Sequence, residues 1–355
     1  MFLAEILENH FHSVAIIGMA KNTGKTYTFN QLVLEGQKLG LKLAVTSIGL
    51  DGEERDSLHG HLKPRIQVYP GLIAVTAKAL LVQSELDYEV LGATGVATPL
   101  GEVVLARVLS RGKLVLAGPG SGWELAALKE ELEAVGVDLL LVDGAVDRRS
   151  LSAPLVTDTA VLTVGVEAAW DRAQLLDKLR HWLAVLTLPA LEDAAASRAF
   201  KHAAEHVKLV ALAADGSVHH VERSQVYAAE GSLALGGLAN AELIYARGML
   251  TDAVLTRILS AAGPASFTLV ASDPTAVFLS AGSLNLLASR QVRLRVLQPL
   301  HLSAVTVNPF HSRYGYAEPA VLLDDVGRVV HPLPCFDLRL GVRYRPPKEE
   351  IHALP

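Results

Sequence analysis

One stretch of the sequence combines the residue types that hold phosphate. It runs from Gly18 to Thr26 and reads Gly-Met-Ala-Lys-Asn-Thr-Gly-Lys-Thr. The apolar run Val14 to Ile17 precedes it and a helical stretch from about Lys25 to Leu39 follows, so a buried strand, a turn and a helix are expected in that order. A loop of this kind binds phosphates through its backbone N–H groups, a lysine and the helix N-terminus. This segment, named here the 18–26 loop, is the first candidate binding site.

Two residues at the end of the 18–26 loop carry most of its predicted chemistry. The positively charged Lys25 ammonium would bind the β- and γ-phosphates of a nucleotide, and the Thr26 hydroxyl would be a ligand of Mg²⁺. For Lys21, a phosphate contact and a simple solvent-exposed position are equally compatible with the sequence. The predicted phosphate-binding residues are Gly18, Lys21, Asn22, Thr23, Gly24, Lys25 and Thr26.

Bound Mg²⁺ and phosphate also require carboxylates, because phosphoryl transfer depends on positioning and charge neutralisation. Asp143 follows the apolar run Asp138 to Val142 and precedes a glycine, as a Walker B aspartate would. Asp51 follows a second predicted strand, Leu43 to Ile48, in what could be a switch-like loop. An ordinary turn is the alternative explanation for each acid. We predict both as catalytic and metal-binding residues beside Lys25.

The elements that must position these residues alternate between strand and helix. Short apolar runs separated by longer helical stretches are typical of right-handed βαβ units and of a parallel sheet buried on both faces. Open sheets of this class bind ligands beyond the carboxyl ends of their strands, where the 18–26 loop, Asp51 and Asp143 are expected to lie. Within this series we predict a strand at Val90 to Thr94 and a helix around Gly101 to Leu109.

The length of the chain predicts more than one domain. Its 355 residues exceed the usual domain size of about 150 residues. A helical stretch from Ala168 to Val207 has the composition of a connector. We therefore predict an α/β domain with a parallel sheet of the P-loop NTPase type over residues 1–195 and a second α/β domain over 196–355. The second domain has no catalytic constellation in its sequence, is expected to bind a partner, and ends in a loosely ordered tail from Tyr344 to Pro355.

Composition narrows the classes of function. The formal net charge is −5 and half of the residues are hydrophobic, so no general basic surface is available for nucleic acid or an anionic membrane. No apolar run reaches the ~18 residues that a membrane-spanning helix needs. The one cysteine, Cys335, cannot form an internal disulfide. We expect a cytoplasmic protein that binds neither nucleic acid nor membrane.

Several segments together resemble the P-loop subunit of the lysine 5,6-aminomutase reactivase. The segments with this resemblance are Lys21 to Thr26, Thr46 to Glu53, Lys63 to Ile66, Asp143 to Arg148, Ala246 to Asp252, Ser272 to Thr275 and Val307 to Phe310. The resemblance implies an ATP-dependent chaperone that reactivates an adenosylcobalamin-dependent aminomutase of lysine degradation. The implied partners are that mutase and a second reactivase ATPase subunit, and the implied cofactors are ATP and Mg²⁺.

The resemblance also implies roles for individual residues. Lys25 and Thr26 match phosphate and Mg²⁺ contacts, Asp143 matches the Walker B position, and Asp51 matches the switch-loop acid. The pair Asp147 and Arg148 matches a family motif to which we assign no role.

Two positions depart from the family pattern. Leu50 stands where a basic residue is expected, and Phe310 stands where a small polar residue is expected. These departures leave ornithine aminomutase or a related mutase open as the client.

The spacing of the 18–26 loop leaves two other functions open. Five residues rather than four separate Gly18 from Gly24, and such a lengthened loop is known in the dethiobiotin-synthetase-like branch of P-loop enzymes. A ligase or kinase acting on a small metabolite is therefore the alternative function. A third is a regulatory module that binds ATP without hydrolysing it. No motif in the sequence distinguishes ATP from GTP.

Overall fold

The computed structural model describes residues 2–48, 65–144, 156–202, 204, 206–227, 235–263 and 266–346. Within these ranges no helix has both the length and the apolar character needed to cross a membrane. The helices are α1 (Phe2–Leu7), α2 (Lys25–Lys38), α3 (Lys78–Val82), α4 (Gly122–Ala134), α5 (Arg172–Leu186), α6 (Ala194–Lys201), α7 (Arg223–Tyr227), α8 (Asp252–Ala262), α9 (Ala281–Ser289) and α10 (Pro319–Val330).

The strands group into one large sheet, one smaller sheet and several short pairs. They are β1 (Ser13–Gly18), β2 (Leu43–Ser47), β3 (Ile66–Val68), β4 (Ile73–Ala77), β5 (Tyr88–Thr98), β6 (Gly101–Val108), β7 (Gly112–Leu114), β8 (Leu139–Asp143), β9 (Thr159–Gly165), β10 (Val207–Ala213), β11 (Val218–Glu222), β12 (Ala241–Ala246), β13 (Leu250–Thr251), β14 (Thr268–Ala271), β15 (Val277–Phe278), β16 (Arg293–Val296), β17 (Leu302–Asn308), β18 (Phe310–His311), β19 (Gly315–Tyr316), β20 (Cys335–Asp337) and β21 (Val342–Arg343).

The large sheet has ten strands in the order β21-β20-β17-β9-β1-β8-β2-β4-β6-β5. Neighbouring strands from β20 to β4 are parallel, and the strands at both edges are antiparallel. The central strands β1 and β9 are buried along their whole length, which explains their mostly apolar sequences. The prediction of an α/β fold with a large parallel sheet is confirmed at this level.

The prediction of a helix around Gly101 to Leu109 is wrong. The segment forms β6, which pairs antiparallel with β4 on one side and β5 on the other. Residues Val103 to Ala106 are all buried, and a short buried apolar run fits a strand as well as a helix. This segment forms a strand rather than a helix because two neighbouring strands supply hydrogen bonds to its backbone.

The chain divides into two compact units. The first contains residues 1–182 and 301–355, and the second contains Leu183–Leu300. The sheet of the second unit has the order β11-β10-β12-β14-β16, in which β12, β14 and β16 are parallel. An apolar core surrounds this sheet, and α8 contributes Leu255 and Ile258 to it.

This division differs from the predicted boundary between residues 195 and 196. The strands β17 and β20 belong to the large sheet, where β17 pairs with β9. Residues 301–355 therefore belong to the first unit, although 183 to 300 separate them from it in sequence. A sequence pattern identifies a buried strand but not the strand it pairs with, which is why the return of the chain was missed. Residues 347–355 of the predicted tail lie outside the described ranges.

Candidate functional site

The 18–26 loop connects the end of β1 to the start of α2 and contains two residues with left-handed backbone conformation. Asn22 has φ 60° and Gly24 has φ 104°. Glycine adopts positive φ without steric penalty, and asparagine is among the side chains that tolerate it best. Turns of this kind bring successive backbone N–H groups together into a concavity that binds anions. The local geometry therefore fits the predicted phosphate site.

The middle of the 18–26 loop is fastened to β9 by hydrogen bonds. Thr23 is fully buried, and its hydroxyl donates to the Ala20 carbonyl at 3.0 Å. The same hydroxyl lies 3.0 Å from Oγ1 of Thr163. The backbone N–H of Met19 donates to the Thr163 carbonyl at 3.2 Å. The loop is thus built on a neighbouring strand rather than standing free.

Two glycines allow this close packing. A Cβ added to Gly18 would lie 2.6 Å from Thr23 Oγ1 and 3.0 Å from Lys25 Cγ. A Cβ added to Gly165, the last residue of β9, would lie 2.7 Å from Thr23 Cα. The short distance from Gly18 to Lys25 Cγ also shows that the aliphatic part of the Lys25 side chain packs against the start of the loop.

The end of the loop and the first turn of α2 contact β17. The Asn308 side chain donates from Nδ2 to the Asn22 carbonyl at 3.0 Å, and a Cβ added to Gly24 would lie 3.0 Å from Asn308 Cβ. One turn into the helix, the buried hydroxyls of Thr28 and Thr306 share a hydrogen bond of 2.9 Å. Two strands that come much later in the sequence therefore hold the loop in place.

Helix α2 begins without a capping side chain. Its N-cap is Gly24, which makes no side-chain hydrogen bond to the first turn. In α4, by contrast, Ser121 and Glu124 form a complete capping box. The first N–H groups of a helix need acceptors from outside the helix, and an anion supplies them as well as a side chain does. A phosphate bound at the 18–26 loop would fill this role for α2.

Asp143 lies one strand away from the 18–26 loop. It is the last residue of β8, opposite Ile16 of β1 and Ser47 of β2, and it is half-buried. Its backbone carbonyl accepts a hydrogen bond from the Ile48 N–H at 3.2 Å. The structure therefore brings Asp143 to the same edge of the sheet as Lys25 and Thr26.

Several predicted residues are not placed. Asp51 lies outside the described residues, as do Asp147 and Arg148 of the family motif. The exposed residues Lys21 and Asn22 lie at the tip of the 18–26 loop.

The oxygen donors at this edge suit Mg²⁺ better than a metal whose ligands all come from protein side chains. Mg²⁺ is bound by one or two carboxylates together with substrate phosphates and water, and Asp143 and the Thr26 hydroxyl are donors of the right kind. In the described parts of the chain, no three His, Cys, Asp or Glu side chains come together as a metal site. Asp143 and Thr26 are therefore oxygen donors of the kind that Mg²⁺ takes, at the edge of the sheet where the 18–26 loop lies.

The sequence did not predict the contribution of β9 and β17 to the site. Thr163, Gly165 and Asn308 contact the loop and Thr306 contacts the first turn of α2, yet all four are about 140 to 290 residues away from it in the chain. Asn308 does fall in a segment with the family resemblance, which was one available signal. Hydroxyl and amide side chains at the ends of apolar strands would have been a second signal.

A carboxylate, Glu167, follows β9 near the same edge. Its Oε1 accepts a hydrogen bond from the Ser312 N–H at 2.6 Å, and its Oε2 lies 3.7 Å from His311 Nε2. Hydrogen bonding from Ser312 holds the pKa of Glu167 below its usual range, with a smaller contribution from His311. Glu167 therefore ties the segment after β9 to the segment after β17.

Comparison with known proteins gives little beyond this geometry. No family model matches the chain, and no curated protein matches it. Among solved structures, the chain shows similarity to the MinC:MinD cell division protein complex of Aquifex aeolicus, with 16% sequence identity and a TM-score of 0.28. The match covers 49% of this chain and 63% of that chain. A likeness of this size carries no argument about fold or function.

Proposed function

We propose that this chain is a P-loop ATPase that reactivates an adenosylcobalamin-dependent aminomutase, with lysine 5,6-aminomutase as the client. The 18–26 loop is the observation that carries the proposal: a glycine-lysine-threonine turn at the end of a buried parallel strand, opening a helix that has no capping side chain. In this proposal the first unit contains the nucleotide domain and the second unit is an α/β domain that binds the partner.

The residues have distinct roles in the proposed site. The backbone N–H groups of the 18–26 loop and the Lys25 ammonium bind the phosphates, with Lys21 at the tip of the loop. Thr26, Asp143 and Asp51 would hold Mg²⁺, which supplies neutralisation of the phosphate charge. Thr23 would contribute its backbone N–H to the phosphates, while its hydroxyl holds the loop against Thr163.

The reactivase role is supported by the sequence resemblance, which spans both units. Cobalamin enzymes are inactivated when the cobalt–carbon bond breaks irreversibly and the damaged corrinoid stays bound. A chaperone that uses ATP to loosen the grip of the apoenzyme would release this corrinoid and admit an intact cofactor. A second ATPase subunit is the expected partner in this work.

Reactivation of a mutase that has been inactivated by turnover is the direct test. The purified chain, the second subunit, Mg·ATP and intact adenosylcobalamin should restore aminomutase activity. The Lys25→Ala variant should lower the rate of reactivation by a few hundred-fold, the usual effect of removing one strong charge-stabilising group of roughly 3 to 4 kcal/mol. The matched control is Lys38→Ala, at an exposed position in the last turn of the same helix. Equal reactivation by Lys25→Ala and the wild type would refute the proposal.

A dethiobiotin-synthetase-like ligase or kinase is the second candidate, and the five residues between Gly18 and Gly24 favour it. Such an enzyme would couple ATP to a small carboxylate or amine held against the γ-phosphate. Turnover of a panel of small carboxylates and amines with Mg·ATP, in the absence of any mutase, tests it. Formation of a phosphorylated or ligated product would favour this candidate over reactivation.

A further inference from the structure

The first unit has a cluster of three aromatic rings, two of them exposed, on the two segments that follow β9 and β17. The cluster consists of Trp170, His311 and Tyr314. The ring centroids of Trp170 and Tyr314 are 5.2 Å apart, and the His311 ring lies 4.7 Å from Tyr314 and 5.6 Å from Trp170. Trp170 is 43% exposed and Tyr314 is 52% exposed. Exposed aromatic surface that is clustered rather than scattered is typical of a binding site.

Both segments start at residues that contact the 18–26 loop. Gly165, which ends β9, packs against Thr23, and the chain reaches Trp170 five residues later. Asn308, which ends β17, donates to the Asn22 carbonyl, and His311 follows three residues later. Three residues span at most about 11 Å even when fully extended, and the rings of Tyr314 and Trp170 lie 4.7 and 5.6 Å from the His311 ring. The cluster therefore belongs to the side of the loop that β9 and β17 support.

Local hydrogen bonds hold the ring-bearing segment in a fixed shape. His311 Nδ1 accepts from the N–H groups of Arg313 and Tyr314 at 3.0 and 3.3 Å, and Glu167 accepts from Ser312. The strands β18 and β19 close this segment into a hairpin. A binding surface that is already ordered before the ligand arrives loses less entropy on binding.

The chemistry of the cluster suits a flat, electron-rich ligand. The Arg313 guanidinium lies 5.3 Å from the centroid of the Tyr314 ring. Aromatic rings and a guanidinium plane both stack on nucleobases.

We propose that Trp170 and Tyr314 form the stacking surface for the purine base of the nucleoside triphosphate whose phosphates bind the 18–26 loop. The inference rests on the proposed nucleotide binding and adds the residues that contact the base. Stacking depends on the π-face rather than on the hydrogen-bonding edge of a base. The site therefore accepts ATP and GTP alike and binds both more tightly than the smaller pyrimidine nucleotides.

Calorimetric titration of the full chain with Mg·ATP, Mg·GTP, Mg·CTP and base-free Mg·tripolyphosphate tests this assignment. The variants are Trp170→Leu, the conservative Trp170→Phe, and Trp123→Leu as a control at an exposed tryptophan in the first turn of α4. Loss of one base–aromatic stack corresponds to about 5- to 150-fold weaker binding. We expect this loss for ATP and GTP in Trp170→Leu, with tripolyphosphate unchanged, near-normal binding in Trp170→Phe and no effect in the control.

The possible results separate the two claims. If tripolyphosphate binds but Trp170→Leu binds ATP as tightly as the wild type, the stacking surface is refuted and the phosphate site stands. If Trp170→Leu weakens ATP and tripolyphosphate equally, Trp170 acts on the loop and the stacking surface is again refuted. If neither ATP nor tripolyphosphate binds the wild type, the proposed function fails. Wild-type circular dichroism and melting temperature in each variant exclude misfolding as the cause of lost binding.

Discussion

Gly165 is far from the 18–26 loop in sequence but packs directly against it. Its Cα faces Thr23 so closely that a methyl group would lie 2.7 Å from the Thr23 Cα. Backbone atoms cannot move aside as a flexible side chain can, so the loop itself must shift if Gly165 gains a side chain. The position of the loop depends on glycine here for steric reasons.

We therefore expect Gly165→Ala to lower the free energy of unfolding by about 1–3 kcal/mol, as overpacking of a close contact does. The displacement of Thr23 should also weaken the binding of Mg·ATP. Urea denaturation and calorimetric titration measure the two effects. The control is Gly92→Ala in β5, where an added Cβ has no neighbour within 4 Å. Wild-type stability and binding in Gly165→Ala would contradict the packing described here.

Lys208 is the clearest titrating residue of the second unit. It is 4% exposed, and its ammonium donates to the carbonyls of Arg247 and Met249. Burial lowers the pKa of Lys208 from 10.5 to about 8, with a smaller contribution from Arg223. Between these two pH values the unfolded chain binds more protons than the folded chain, so the contribution of Lys208 to stability rises with pH.

The variant Lys208→Met removes this pH dependence. The difference in unfolding free energy between the wild type and the variant should grow in favour of the wild type from about pH 8 to pH 10, by roughly 1 kcal/mol per pH unit. Urea denaturation at a series of pH values measures the difference. A difference that stays constant across this range would show that the folded-state pKa of Lys208 is not lowered.

At the scale of elements, the contact between α2 and β17 is carried by two buried hydroxyls. Thr28 and Thr306 are 2% and 3% exposed, and each is the hydrogen-bond partner of the other. Removing one hydroxyl leaves its partner buried without that bond, whereas removing both leaves an apolar contact of nearly the same shape.

We expect Thr28→Val and Thr306→Val each to lower the unfolding free energy by about 1–3 kcal/mol. The double variant should be less destabilised than the sum of the two single variants. Chemical denaturation of all four proteins gives the coupling energy. Strict additivity would show that the hydroxyl pair does not connect α2 to β17.

Some helices and strands could be predicted from local sequence patterns and others could not. The strand β1 and the helix α2 were predictable, because an apolar run followed by a glycine-lysine turn is typical of a strand that leads into a helix. The strand end at Asp143 was predictable because an acid and a glycine follow an apolar run there. The strand β6 was not, since a run such as Val103 to Ala106 becomes a strand only when neighbours such as β4 pair with it. Hydrogen-bonding partners that are distant in the chain decide such cases.

The residues of the candidate site also divide into those that local sequence patterns identify and those that depend on partners distant in the chain. Lys25, Thr26 and Asp143 could be found from local patterns, whereas the supporting residues Thr163 and Asn308 could not be paired with the loop without the order of strands in the sheet. The roles assigned to Lys25 and Asp143 remain predictions.

At the scale of the whole molecule, the second unit interrupts the first in sequence. Residues 183–300 have their own five-stranded sheet and apolar core, and the chain then returns to the large sheet with β17. A segment with its own sheet and core can fold by itself.

We expect the isolated segment 183–300 to unfold in a single cooperative transition, as small domains do. Denaturation followed by far-UV circular dichroism measures this. The control is the segment 196–355, which follows the boundary predicted from the sequence and carries β17 away from its partner β9. We expect this control to aggregate or unfold without cooperativity. A cooperative 196–355 segment together with an unfolded 183–300 segment would contradict the division described here.

The central claim is that the 18–26 loop binds the phosphates of a nucleotide through Lys25. Calorimetric titration of the wild type and of Lys25→Ala with Mg·ATP tests it most directly. We predict that the wild type binds one nucleotide per chain and that Lys25→Ala binds it at least about 100-fold more weakly, since a charge-assisted contact to phosphate is lost. Equal binding by the two proteins, or no binding by the wild type, would contradict the claim.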